Sequence, residues 1–159
     1  MIQQTLVLVK PDGVSRGIVG DIIKRFEQRG LKIVGLKLVK IDEDFSKEHY
    51  AAHIDKEFYK GLEKFIVSGP VVAMVVEGVD AIENVRKLAG ATESKSALPG
   101  TIRGDYSHVS YSHADERGIS VKNVVHASGD AADAEKEVAL WFSVDEIHSY
   151  NRAGDEHLL

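Results

Sequence analysis

Thr5 to Val9 is a short apolar run that predicts a strand, and it breaks at Lys10-Pro11-Asp12-Gly13, a cluster of turn-forming residues. Val19, Ile22, Ile23 and Phe26 then recur at helical spacing, with Lys24, Arg25 and Glu27 on the other side. Gly30 stands where a helix commonly ends, because glycine accepts the left-handed conformation of the position after the cap. Leu31 to Ile41 predicts a second strand. Asp42 to Ala52 and Lys60 to Val67 predict short helices, the latter with Leu62, Phe65 and Ile66 on one face. Pro70 to Val76 is apolar throughout, the pattern of a strand covered on both faces. Asp80 to Ala89 predicts a helix with Ile82, Val85 and Ala89 on one stripe. Gly90 to about Gly118 has no sustained period and reads as a long loop. Val121 to His126 predicts a fourth strand, and Ala134, Val138 and Trp141 mark a helix of about three turns. Ser143 to Leu159 is a polar tail of weak pattern.

This order of elements matches the split β-α-β plan. The expected fold is α+β: a ferredoxin-like α/β sandwich with a four-stranded, mainly antiparallel sheet covered by helices. A chain of 159 residues suits one domain and is too short for two ordinary ones. Hydrophobic residues at 43% and charged residues at 28% give the balance of a chain that buries a core rather than a disordered one. The domain is expected to span 1–159, without internal repeats.

Charge and cysteine content narrow the function classes. The formal net charge of -5 lacks the basic excess of a non-specific nucleic-acid binder. With no cysteine, disulfides, thiolate metal sites and cysteine nucleophiles are excluded. No apolar run approaches the roughly 20 residues of a membrane span. The start, Met1-Ile2-Gln3-Gln4-Thr5-Leu6, has no basic leader. A cytoplasmic protein without membrane or specific nucleic-acid partners is expected.

No phosphate-binding loop of the G-x-x-x-x-G-K-S/T kind, no G-x-G-x-x-G after a strand and no H-E-x-x-H is present. Any nucleotide would be bound by other means. His49 and His53 lie four apart on an expected helix and so share a face, a spacing that suits a metal. No third ligand supports it, and two surface histidines is the better reading. His126 ends the apolar strand Val124-Val125-His126 and precedes Ala127-Ser128-Gly129-Asp130 and a helix. A histidine at a strand end faces a rim where small following residues leave room for a ligand. Glu137 on the next helix is available to one ring nitrogen, and the other would then be a free nucleophile. Spacing alone favours a structural histidine over that role. Arg86 and Arg103, the latter in Pro99-Gly100-Thr101-Ile102-Arg103-Gly104-Asp105, suit phosphate oxygens. Each taken singly also fits a solvated helix face or an ion pair with Asp105. Lys10 is either an edge lysine or a phosphate ligand on the same rim.

Together these segments resemble a family. Lys10-Pro11-Asp12-Gly13-Val14 with Arg16-Gly17, Ser68-Gly69-Pro70-Val71-Val72-Ala73-Met74, and the Pro99 to Asp105 segment are similar to the nucleoside diphosphate kinases. So are Asn123-Val124-Val125-His126-Ala127-Ser128 and Ala134-Glu135-Lys136-Glu137 ahead of Leu140-Trp141-Phe142. The resemblance runs from about Thr5 to Phe142. It implies a ping-pong kinase in which His126 takes the γ-phosphate of a nucleoside triphosphate, typically ATP, and passes it to a nucleoside diphosphate. It implies supporting roles for Lys10, Tyr50, Ser128 and Glu137. It implies nucleotide contacts from Lys10, Phe58, Arg86, Thr92, Arg103 and Asn123, with Phe58 as the stacking platform for the base. A Mg²⁺ held mainly by the nucleotide phosphates is expected, with no metal cage from the protein. A homo-oligomer, hexamer or tetramer, is expected as well.

The chain departs from the family pattern in places. Asp55-Lys56-Glu57 precedes Phe58 where a proline is common, and Thr92 to Leu98 lacks the usual Asn-Pro. Gly129 replaces an aspartate after the serine. Residues 107–119 read as an insertion, and a polar tail begins at 143. The rival reading is a non-catalytic ferredoxin-like module that binds nucleotides or RNA. It needs aromatics on an exposed sheet face and a basic surface. The third strand carries no aromatic residue, and the net charge is negative.

Overall fold

Strict alternation along the first strand, β1 (Ile2–Val9), sends Leu6 and Leu8 to one side and Val7 and Val9 to the other, and all four are fully buried. A strand apolar on both faces needs cover on both. The computed structural model, which describes residues 1–158, supplies it. After a short helix α1 (Pro11–Ser15), helix α2 (Val19–Gln28) lays Ile22 and Phe26 against Val7 and Val9. Strand β2 (Lys32–Val39) leads to α3 (Glu43–His49) and α4 (Tyr59–Ile66), which cover the Leu6 and Leu8 side with Tyr50, Tyr59 and Ile66. Strand β3 (Val71–Val79) is buried continuously from Val71 to Val76. Helix α5 (Ala81–Ala89) returns to the α2 side through Ala81, Val85 and Ala89.

The chain then forms α6 (Ile102–Tyr106), α7 (Tyr111–Glu116), strand β4 (Val125–Ala127) and helix α8 (Ala131–Trp141). The sheet order is β2-β3-β1-β4 and all pairings are antiparallel. This is the expected four-stranded ferredoxin-like sheet. Trp141 and Phe142 complete the core on the α3 side. Helices therefore lie on both faces of the central strands β1 and β3, where an RNA-binding module needs an open face for stacked bases.

Three sequence expectations are corrected. Residues 90–118 are not a plain loop but hold a 3₁₀ turn (Ser94–Ser96) with α6 and α7. Helices of five or six residues are too short to show a period. Their start signals are present instead: Thr101 accepts from the Gly104 N–H at 3.1 Å and Ser110 from the His113 N–H at 3.2 Å. The fourth strand is three residues long rather than Val121 to His126, because Val124 takes φ 74° and breaks the extended run. The C-terminal segment is polar but packed. His148 donates its N–H to the Val34 carbonyl, and the Arg152 guanidinium donates to the Gly30 and Leu31 carbonyls. Among the described residues no helix is long and apolar enough to cross a membrane.

Candidate active site

His126 sits opposite Leu8 in the β1–β4 register. Cross-strand partners point to the same face, so the imidazole emerges on the side covered by α3 and α8. Helix α8 is capped by Asp130, whose carboxylate accepts from the Asp133 N–H at 2.9 Å. Its Ala134 and Trp141 are buried, and Glu137 lies three and four residues from them on the same face. The Glu137 carboxylate consequently meets the ring: His126 Nε2 lies 2.9 Å from Glu137 Oε2. Ser128 donates its hydroxyl to the same oxygen at 2.7 Å. Burial pushes the Glu137 carboxyl up, but the hydrogen bond and charge of His126 and the bond from Ser128 outweigh it and hold it below its usual range. A carboxylate can only accept, so the bridging proton belongs to Nε2 and Nδ1 keeps its lone pair.

The turn after β1 ties a second group to this strand. Lys10 donates its backbone N–H to the Val124 carbonyl, and its Nζ donates to Asn123 Oδ1 at 2.7 Å. Asn123 in turn donates Nδ2 to the Thr92 carbonyl at 2.7 Å. Val124, a β-branched residue in the left-handed region, is held there by its N–H bond to Asp12 Oδ2 at 3.1 Å. The Lys10 ammonium is buried, so its pKa falls to about 8; burial is the main cause and the nearby Arg103 charge adds to it, against Asp12.

Arg103 is also buried, and donates to the Gly90 carbonyl at 2.7 Å and the Val125 carbonyl at 2.8 Å. Burial, then the like charge of Arg86, brings it down to about 10. An ion pair between Arg103 and Asp105 is not formed. Asp105 instead pairs with Arg25 and accepts from the Gly100 N–H, because α6 turns Arg103 inward and leaves Asp105 outside. Three cations thus stand close together with no carboxylate bonded to any of them among the described residues, an arrangement that favours an anion. Arg86 donates to the Ser128 carbonyl at 3.4 Å.

These groups line one cleft of 990 Å³. Lys10, Arg86, Arg103, Thr92 and Asn123 line it together with His126. Tyr50 and Phe58 also line it, Phe58 with 56% of its surface exposed. Burial, aided by the Glu137 charge, raises the Tyr50 phenol above its usual range. The Tyr50 hydroxyl and Arg103 Nε are buried without a hydrogen-bond partner among the described residues. Ser128 and Glu137 are outside the lining and lie behind the ring. All of the site residues expected from the sequence are thus at the cleft or directly behind it.

Sequence reasoning missed other participants. His49 is not a surface histidine: Trp141 Nε1 donates to its Nδ1 at 3.1 Å, and its ring centroid is 4.8 Å from that of His126. Asp12 carried no signal beyond its place in a turn. Tyr111, Asp115 and Ile119 from segment 107–119 form part of the far wall. His53 lines the cleft too, apart from His49.

The family described as Nucleoside diphosphate kinase matches residues 3–147. A nucleoside diphosphate kinase of Borreliella burgdorferi is 48% identical over 157 residues, covering 96% of this chain and 94% of the relative. One of Pyrococcus abyssi is 52% identical over 153 residues, covering 96% and 92%. The structure is similar to a transition-state mimic of the Borrelia burgdorferi enzyme with bound vanadate and ADP: TM-score 0.95, 47% identity, 99% of this chain and 96% of that one. It is also similar to a Halobacterium salinarum nucleoside diphosphate kinase in complex with CDP: TM-score 0.89, 47% identity, 99% and 98%.

Proposed function

The chain belongs to the nucleoside diphosphate kinase family, and on that premise we propose that His126 is the residue that carries the phosphoryl group. The protein is a phosphotransferase that moves the terminal phosphate of a nucleoside triphosphate to a nucleoside diphosphate. One observation carries the assignment to His126. Its Nε2 is held at 2.9 Å by a buried carboxylate, while the ring lines a cleft with Lys10, Arg86 and Arg103.

In the first half-reaction the Nδ1 lone pair attacks the γ-phosphorus of the donor. The bond from phosphorus to the β,γ-bridging oxygen breaks and the diphosphate leaves with that electron pair. In the second, a terminal oxygen of the acceptor diphosphate attacks, the N–P bond breaks, and the lone pair returns to Nδ1. The Nε2 proton stays on the ring throughout, and Glu137 stabilises the positive charge that develops there. Phosphoryl transfer asks mainly for positioning and charge stabilisation. Lys10, Arg86 and Arg103 supply the cations, with Thr92 beside them. Asn123 holds Lys10 and faces the sugar, and Phe58 offers a face to any base.

A divalent cation, Mg²⁺ by preference, fits this donor set as a passenger of the nucleotide. The phosphate end of the cleft presents ammonium and guanidinium groups, so phosphate oxygens and water are the hard ligands left for it. When bound it neutralises charge between the phosphates. Segment 107–119, taken as an insertion in a single domain, supplies the far wall of the nucleotide cleft. Self-association is supported by Leu36 and Leu38, which stand 52% and 63% exposed on edge strand β2. A cysteine-free chain suits the reducing cytoplasm.

Incubation with γ-labelled ATP should leave acid-labile, alkali-stable phosphate on the protein, discharged by added nucleoside diphosphate. Peptide mapping should place it on His126, and His126→Ala should abolish both steps. Label retained by the alanine variant would refute the assignment.

A further inference from the structure

Helix α3 brings a second histidine against the first. One nitrogen of His49, one of His126 and a carboxylate oxygen of Glu137 lie within 4.8 Å of one another. Such a trio suggests a metal site, but the hydrogen bonds speak against it. Trp141 donates its indole N–H to His49 Nδ1 at 3.1 Å and occupies that lone pair. Burial, with the charges of His126, Lys10 and His53 against Glu137, lowers the His49 pKa to about 3, so the ring is neutral. Its one proton must then sit on Nε2, which is buried and has no partner among the described residues. Neither nitrogen offers a lone pair to a cation.

The same bonds fix the ring in space. His49 meets His126 edge-on, with 4.8 Å between centroids and 79° between planes. It meets Trp141 in the same way at 5.4 Å and 88°, and Trp141 is itself edge-on to Phe45 at 4.8 Å. His126 is thus bounded on one side by Glu137 and on another by a ring that is anchored to the core. A half-turn of the imidazole about its Cβ–Cγ bond would exchange Nδ1 with Cδ2 and Nε2 with Cε1. It would withdraw Nδ1 from its place at the cleft and carry Nε2 off Glu137 to the former Cε1 position, and it has to pass the His49 edge.

We propose that His49, anchored by Trp141, is a positioning residue that holds the His126 ring so that Nδ1 alone faces the nucleotide cleft. The proposal rests on His126 as the nucleophile and adds what selects its reacting nitrogen. Glu137 favours the correct ring orientation by a hydrogen bond. His49 opposes the flipped one by occupying space, and its neutrality adds no repulsion as charge develops on His126.

The regiochemistry of the phosphoenzyme tests this, since a merely structural residue would not change it. ³¹P NMR and alkaline digestion of the phosphorylated protein distinguish the Nδ1 and Nε2 isomers. The wild type should give the Nδ1 isomer alone. His49→Ala should give a mixture of isomers and lose roughly tenfold in kcat, a typical cost of a misplaced reacting group, with nucleotide KM within about twofold. Trp141→Phe keeps an aromatic ring beside Phe45 and removes only the anchoring N–H donor and part of the ring; it should also yield a mixture. Should His49→Ala fail a thermal-unfolding check, Trp141→Phe decides alone. A single Nδ1 isomer with kcat within twofold of wild type in the folded variants would overturn the proposal. So would a loss confined to KM. Phosphate mapped in the wild type to a residue other than His126 would instead refute the underlying assignment of the nucleophile.

Discussion

Replacing Glu137 by glutamine keeps the shape of the side chain and an oxygen able to accept from His126 Nε2, and removes only the charge. In the protein that charge is held by two short bonds, 2.9 Å from His126 and 2.7 Å from Ser128, and the carboxyl is kept below its usual range. Glu137 is therefore ionised across the neutral range. The ring it touches becomes cationic as the N–P bond forms, so a neutral hydrogen bond turns into a charge-assisted one. A bond to a charged group contributes about 1.5–3 kcal/mol, against about 1 for a neutral one. Most of the difference belongs to the transition state, because the reacting form of the ring, the one with a lone pair on Nδ1, carries no charge. At about 1.4 kcal/mol per factor of ten, Glu137→Gln should slow phosphoenzyme formation roughly 2- to 30-fold. Glu137 lies behind the ring and outside the cleft lining, so nucleotide affinity should stay within about twofold. Rapid-quench measurement with γ-labelled ATP, run over a range of nucleotide concentrations, separates the two quantities. A variant that forms phosphoenzyme as fast as the wild type would refute the reasoning. So would one that loses its activity through affinity instead.

Phe58→Ala should raise nucleotide KM by about tenfold for purines and pyrimidines alike, since a stacked base contributes roughly 1–3 kcal/mol and half of this ring is open to solvent; steady-state kinetics with four acceptor diphosphates checks it, and a change limited to one base would contradict it. Nucleotide affinity of the free enzyme should weaken as pH rises through about 8, because the lowered Lys10 pKa means the ammonium loses its proton there while the arginines keep theirs. Isothermal titration with ADP from pH 6 to 9.5 measures this, and a flat profile would remove Lys10 from the phosphate site.

Much of the fold was legible in the chain. Val71 to Val76 could only be a strand covered twice, and Ile22 and Phe26 recur at the spacing of a helix packed on one side. The region 90–118 was not legible, because α6 and α7 are set by caps at Thr101 and Ser110 rather than by any apolar period. The short fourth strand was likewise hidden. It begins only after Val124, whose positive φ goes with a hydrogen bond from its N–H to Asp12, a residue 112 positions away. In the site, Lys10, Arg86, Arg103 and His126 each fitted a structural role when taken singly and were joined to phosphate by the family resemblance, and Arg103 and Asp105 looked like an ion pair until α6 separated them. His49 gave no sign at all, since the spacing that put it on a helix with His53 says nothing of what faces that helix.

The amino-acid order by itself determined which faces are apolar and which segments can extend or coil, for those depend on neighbours within a few residues. It also supplied the chemistry-bearing groups. Only the folded chain decided which nitrogen of His126 meets Glu137, why Lys10 carries its proton less firmly than a solvated lysine, and which ring packs against His126. Each of those is fixed by distance and dielectric between groups far apart in sequence, from Lys10 through Trp141, and no local pattern encodes such a meeting.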